Sequence, residues 1–290
     1  MTAETAYWIF AAFAGLFGLL FGSFLNVCVA RMPEDRSVVW PGSACPSCGT
    51  PIKPYDNVPV LAWMWLGGKC RACKLPISAL YPSVEALFGV LSVLLFRRVI
   101  PDLAVLDNAH LAALVWYGWL LFALVALTLI DLRHHIIPDE FSLYSVPVGV
   151  AGAALLGWLG YTGAPTWQAS VVGALVGGGL LGSVSGLYWL VRREVGMGMG
   201  DVKLLALFGA FFGAAASVSI LFIAACLGSV VGVAAIALRG GSLKLALPFG
   251  PFLALGAGVW LYAGPVLEPH VALRLGNFVE VVRWMAGGGV

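Results

Sequence analysis

Eight apolar runs divide the chain, near residues 7–30, 81–96, 111–130, 141–161, 170–191, 202–216, 218–238 and 247–264. A helix of about 20 apolar residues crosses the hydrocarbon core of a bilayer. In lipid every backbone N–H and C=O must be bonded within the chain, so each run is expected to be helical. The fold class is therefore an all-α polytopic membrane protein with about eight transmembrane helices. The runs 81–96 and 202–216 are short. The break near Ala216–Ser217 is the weakest, because 202–238 is almost continuously apolar. Composition agrees: 61% of residues are hydrophobic and 10% charged, whereas a soluble domain carries about 25% charged residues. A net charge of +2 gives no basic field for nucleic acid, so the bilayer is the expected partner. The first run is too long for a removable secretory signal, and no small-residue cleavage site follows it.

Basic residues in short loops set the orientation. With residues 31–80 in the cytoplasm and eight spans threaded in turn, 12 of the 16 Lys and Arg residues fall on the cytoplasmic side. Arg97, Arg98, Arg274 and Arg283 fall on the other side, and the N-terminus lies outside. The tail 265–290, with Pro265, Pro269, Glu268 and Glu280, reads as a short interfacial segment.

The sizeable polar segment is 31–80, and it holds Cys45-Pro-Ser-Cys48 and Cys70-Arg-Ala-Cys73. Two C-x-x-C pairs with 21 residues between them read as a four-thiolate zinc site, each pair forming a knuckle that offers two sulfurs. A proline-rich segment of this size has little else to fold around, so the metal would supply much of its stability. Two disulfides are the alternative, opposed by the reducing cytosol. A closed four-sulfur shell makes the zinc structural. Cys28 and Cys226 lie in apolar runs and are expected as small core residues. Trp63 and Trp65 are expected to pack the small domain or dip into the interface.

Two carboxylates stand at the lips of apolar runs: Asp131 at the end of 111–130, and Asp201 at the start of 202–216. An acid at such a position is costly for packing and useful for chemistry. The threading puts both on the cytoplasmic lip. Asp201 would begin a helix whose positive end favours a carboxylate. Gly196, Gly198 and Gly200 before it permit unusual backbone angles and close approach of a substrate strand. The bland readings are a helix cap for Asp201 and an ion pair with Arg133 for Asp131. Asp139, after Pro138, reads as an N-cap. His134 and His135 read as interfacial loop residues, since no other ligand has metal spacing with them. Lys203 either snorkels to the headgroups or tunes the two acids. Gly173/Gly177, Gly209/Gly213 and Gly228/Gly232 read as close helix-packing faces.

In order along the chain, further segments resemble the bacterial type IV prepilin peptidases, polytopic aspartic proteases that are also N-methyltransferases. Phe21-Gly-Ser-Phe-Leu-Asn-Val27 with Arg31-Met-Pro33 resembles the end of the family's first span. The cysteine pairs, with Asn57-Val-Pro59 and Gly68-Lys69-Cys70, resemble its cytoplasmic zinc domain. Tyr81-Pro-Ser-Val-Glu85 resembles the entry to its second span. Asp131-Leu-Arg-His-His-Ile-Ile-Pro-Asp139 and Gly198-Met-Gly-Asp201 resemble its two catalytic motifs, and Pro248-Phe-Gly-Pro-Phe252 the start of its last conserved span. Leu80 stands where the family usually has Arg, and Arg133 where it often has a second acid.

The resemblance implies that Asp131 and Asp201 form the catalytic pair and that Cys45, Cys48, Cys70 and Cys73 hold structural zinc. It divides the chain into a first span (1–30), a methyltransferase-associated cytoplasmic zinc domain (31–80), a membrane peptidase domain (81–264) and a tail (265–290). It implies prepilins or pilin-like secretion subunits as substrates, S-adenosylmethionine as methyl donor, and a multi-pass protein of the bacterial inner membrane whose active site faces the cytoplasm. No dinucleotide-type glycine fingerprint marks the donor site, so no donor-binding residues are assigned, and self-association is left open. Three other readings stand beside this one: a peptidase without methylation, a zinc-bearing membrane scaffold, and a proton-coupled transporter with paired intramembrane acids. A transporter should show internal repeats and helices broken near the midplane, and no convincing repeat is present.

Overall fold

A computed structural model describes residues 2–194, 198–239 and 248–285, with the backbone alone for 239, 270 and 272–285. Gly196, Met197 and Lys244 lie outside the described residues, as do the side chains of Arg274, Glu280 and Arg283. The α-helices are α1 (Ala3–Arg31), α2 (Leu61–Trp65), α3 (Leu80–Val99), α4 (Asn108–His134), α5 (Ser145–Trp158), α6 (Trp167–Arg192), α7 (Met199–Phe212), α8 (Ala214–Arg239) and α9 (Gly250–Met285). Each apolar run is one of these helices, and α2 lies in the polar segment. Among the described residues no strand occurs, only two isolated β-bridges. Among the described residues six helices are long and apolar enough to cross a membrane: α1, α3, α4, α6, α8 and the first part of α9. The helices α5 and α7 have 14 residues each. At 1.5 Å per residue they reach roughly 21 Å, short of a hydrocarbon core of about 30 Å. The tail continues α9 through Pro265 and Pro269 to Met285.

The chain forms two compact units, divided within α4 between Ile130 and Asp131. In the first, α1 and α3 approach backbone to backbone along a seam of small residues. A Cβ placed on Gly18 would lie 2.9 Å from the Gly89 Cα, and one on Gly22 would lie 2.8 Å from the Glu85 Cα. Small residues are what allow helices in lipid to come this close. Phe122 of α4 packs its ring on Phe21, Phe24 and Phe88 at centroid distances of 6.5, 6.0 and 5.8 Å. Cys28 is buried on α1 as expected, but Cys226 is exposed on α8 and is not a core residue.

The second unit is built around α7, the most buried of its helices. Leu204, Leu205, Leu207, Phe208 and Phe211 are all within 1% of complete burial. Two of the glycine pairs read from the sequence face each other here. A Cβ on Gly173 would overlap the Gly209 carbonyl oxygen and lie 2.7 Å from the Gly213 Cα; a Cβ on Gly177 would overlap the Leu205 carbonyl oxygen. The third pair packs less tightly: Gly228 faces Phe252 at an ordinary 3.5 Å. Buried serines tie the seam: the Ser170 hydroxyl donates to the Ala210 carbonyl at 2.5 Å, and the Ser217 hydroxyl to that of Gly213 at 3.2 Å. The break between α7 and α8 falls at Gly213, not near Ala216–Ser217. Its φ of 87° and ψ of 177° belong to a region that essentially only glycine occupies. The hydropathy signal could not place this break, because the reversal interrupts the backbone without adding a polar residue.

Candidate active site and metal centre

Asp131 occupies the last turn of α4 and is 6% exposed. The chain then reverses: His135 takes a left-handed φ of 55°, and a run of turns continues to Tyr144 before α5 begins. Asp201 stands in the first turn of α7, half-buried, with its N–H donating to the Gly198 carbonyl at 3.2 Å. Gly198 is the N-cap and supplies no side chain to the helix start. The start of α7 is thus capped by no side chain. Asp201 follows Gly200 and Asp131 faces Gly250, and both glycines lie against the Ile137 side chain. Among the described residues neither receives a hydrogen bond. Half-buried and buried acids of like charge without donors are unusual in a packed interior.

Glycine holds this space open at two points. A Cβ on Gly200 would come 2.9 Å from the Ile137 Cβ. On Gly250, the first residue of α9, it would come 2.5 Å from the Asp131 Oδ2 and 3.2 Å from the Ile137 Cδ1. Ile137 is therefore wedged between Gly200 and Gly250, and three stretches of chain converge on the acids: 131–137, 198–201 and 248–250. Gly250 had a sequence signal in Pro248-Phe-Gly-Pro-Phe252, but nothing local there told which side chain it would face.

Asp139 and Lys203 find each other. The Lys203 Nζ donates to the Asp139 Oδ1 at 2.6 Å. Asp139 is thus not the N-cap of α5, whose cap position is Tyr144, without a side-chain bond. Lys203 neither snorkels alone nor points only at the acids; it ties the 135–144 turn to the first turn of α7. His134 and His135 are exposed, as expected of loop residues.

In the first unit, Cys45, Cys48, Cys70 and Cys73 bring their sulfurs within 4.8 Å of one another. Among the described residues this is the one group of His, Cys, Asp or Glu placed to hold a metal. The Cys45 and Cys73 sulfurs are 3.9 Å apart. Four thiolates at about 2.3 Å from one zinc ion would stand about 3.8 Å apart, so the donor set fits. The local cause is a repeated knuckle. The Cys45 N–H donates to the Thr50 carbonyl and the Gly49 N–H to that of Cys45; the Cys70 N–H donates to the Leu75 carbonyl and the Lys74 N–H to that of Cys70. The residue after each second cysteine has positive φ, 68° at Gly49 and 60° at Lys74. Arg71 grips Asp56 with two bonds of 2.6 Å, which hold the Asp56 carboxyl below the usual carboxylate range. Trp63 packs the module as expected, its Nε1 donating to the Ile77 carbonyl at 3.0 Å, whereas Trp65 is exposed.

Comparison with known proteins matches both parts of the chain. Residues 16–99, which include the four cysteines, match the bacterial peptidase A24 N-terminal domain. Residues 118–233, which include both aspartates, match the type IV leader peptidase family. A protein of Aeromonas hydrophila named prepilin leader peptidase/N-methyltransferase is 36% identical, over 89% of this chain and 92% of its own. Proteins of the same name from Burkholderia pseudomallei (strain 1026b) and Pseudomonas putida are each 35% identical, over 87% and 89% of this chain and 85% and 92% of their own. No solved structure matches the chain. With relatives this similar along nearly their whole length, the chain belongs to the type IV leader peptidase family.

Proposed function

We propose that this protein is a membrane aspartic endopeptidase that removes the leader of type IV prepilins or pilin-like secretion subunits and then methylates the new N-terminus. The observation that carries the peptidase is the convergence of the Asp131 and Gly200–Asp201 stretches around Ile137 and Gly250, with no hydrogen-bond donor to either carboxylate among the described residues. Two like charges at close range do not both ionise readily, so such a pair holds one proton between them. The ionised acid takes a proton from water as the water oxygen attacks the scissile carbonyl carbon. The protonated acid donates to the carbonyl oxygen. Collapse of the tetrahedral intermediate returns a proton to the leaving amine. The two acids titrate as a pair, so neither is singled out as base or acid. Gly200 and Gly250 leave the room in which an extended substrate backbone can lie beside them.

The basic-residue count supports a site facing the cytoplasm of the bacterial inner membrane. The four cysteines would hold zinc with all four positions filled by thiolate, which leaves none for substrate and makes the role structural. Methylation rests on the names of the relatives. S-adenosylmethionine would supply an electrophilic methyl carbon; the freed N-terminal amine would take it up with loss of one proton as the methyl carbon–sulfur bond breaks and S-adenosylhomocysteine leaves. The test is to incubate the purified protein with a synthetic prepilin and S-adenosylmethionine and weigh the products. Leader loss plus one methyl group is expected. Asp131→Asn and Asp201→Asn should each insert normally and lose cleavage by on the order of 10⁴-fold or more. Normal cleavage by either variant refutes the acid pair.

A further inference from the structure

Two motifs read from the sequence play no part in the acid site: Asn57-Val-Pro59, between the cysteine pairs, and Tyr81-Pro-Ser-Val-Glu85, at the entry to α3. They meet within the first unit at a cavity of about 680 Å³ that lies against the ends of α1 and α3 and the cysteine module. This volume is in the range of small-molecule sites.

The cavity holds a buried charge that the fold itself does not explain. Glu85 lines it and is only 8% exposed. Its Oε2 accepts the Val60 N–H at 2.7 Å, and its Oε1 has no partner among the described residues. Val60 donates from a strained backbone: φ is 60° and ψ −53°, and the Leu61 N–H closes a three-residue turn on the Pro59 carbonyl at 2.6 Å. This γ-turn is of the rare kind, and it places a β-branched residue at positive φ. Strain that serves to orient one N–H onto one carboxylate is the kind that accumulates at ligand sites.

The other charged groups of the lining are mostly committed. Arg31 donates to the carbonyls of Ser37, Pro41 and Gly42; Arg36 donates to that of Ala30 and pairs with Glu34; Asp56 is held by Arg71. Lys69 lines the cavity, is exposed, and has no side-chain partner among the described residues. The free charged inventory is therefore one carboxylate oxygen of a buried residue and one exposed ammonium, with the side chains of Asn57 and Tyr81 as further polar groups in the lining. Phe24 and Trp63 add aromatic surface to the wall. A ligand matched to this set carries a cationic centre, a carboxylate and a flat ring system.

We propose that this cavity binds the methyl donor, a zwitterionic sulfonium nucleoside, with Glu85 facing its positive charge and Lys69 its carboxylate. The proposal rests on the methyltransferase reading above. Equilibrium dialysis of the purified full-length protein against radiolabelled S-adenosylmethionine tests it. The parent should bind, and Glu85→Gln should bind at least tenfold more weakly while keeping its zinc content and its leader cleavage. The variant should also bind S-adenosylhomocysteine, whose sulfur is neutral, with a smaller loss. Ultraviolet irradiation of the parent with the labelled donor, followed by peptide mapping, needs no variant and should mark segments 20–31 or 56–85. Undiminished binding by Glu85→Gln, or label confined to residues 131–290, overturns the cavity assignment while methylation stands. A parent protein that methylates nothing and binds no donor overturns the methyltransferase reading and this proposal with it.

Discussion

Asp131 and Asp201 were both legible as residues out of place, since an acid at the lip of an apolar helix needs a reason. What surrounds them was not legible. Gly250 lies almost 120 residues beyond Asp131 in the chain, and no periodicity links the two. Its α-hydrogen faces the Asp131 carboxylate, where a Cβ would stand 2.5 Å from Oδ2. Gly250→Ala should therefore displace the acid and lower leader cleavage by roughly 10- to 100-fold, in line with the cost of sub-ångström misplacement of a catalytic group. The checking measurement is the initial rate of leader removal, with membrane yield as the control for folding. Wild-type cleavage by Gly250→Ala would mean that Asp131 moves freely. Lys203 shows the same limit of local reading: its pairing with Asp139 spans 64 positions and was not among the roles that the sequence suggested for it.

At the scale of elements, the helix seams depend on having no side chain at a few positions. Gly173 lies against Gly209 and Gly213, whereas Gly179, on the same helix, has open space around it. Gly173→Ala should destabilise the second unit by about 1–3 kcal/mol, as overpacking of a fitted core does. Gly179→Ala should leave stability unchanged. Thermal unfolding in detergent, followed by helical signal, separates the two; equal midpoints would rule out the seam. The cysteine module rests on a different principle. Its two knuckles contribute short turns and two β-bridges, and the Arg71–Asp56 pair, exposed on its Arg71 side, is a single ion pair. Metal removal by a strong chelator should therefore open residues 43–77 to proteolysis while the membrane helices stay intact, and zinc should restore protection. Chelation without a change in the cleavage pattern would show that the module folds without metal.

Over the whole molecule, the stretches 131–137, 198–201 and 248–250 converge within the second unit, which is why Asp131, Asp201 and Gly250 can share a site. Threading by the basic residues is expected to put the loop between α3 and α4 outside the cell. Asp102→Cys, exposed in that loop, should react with a membrane-impermeant maleimide in intact cells. The parent protein should not react, because the same threading is expected to put the exposed Cys48 in the cytoplasm and Cys226 lies within an apolar helix. The reverse pattern would invert the protein. Hydropathy and the C-x-x-C spacing determined the helices and the four-thiolate module, because bonding the backbone in lipid and ligating one ion are local demands written in neighbouring residues. Only the tertiary structure decided that α7 is the centre of the second unit, that its end falls at Gly213, and that Val60 is strained onto Glu85. Those outcomes come from how closely backbones distant in the chain can approach, and that closeness depends on side chains being absent as much as on those present.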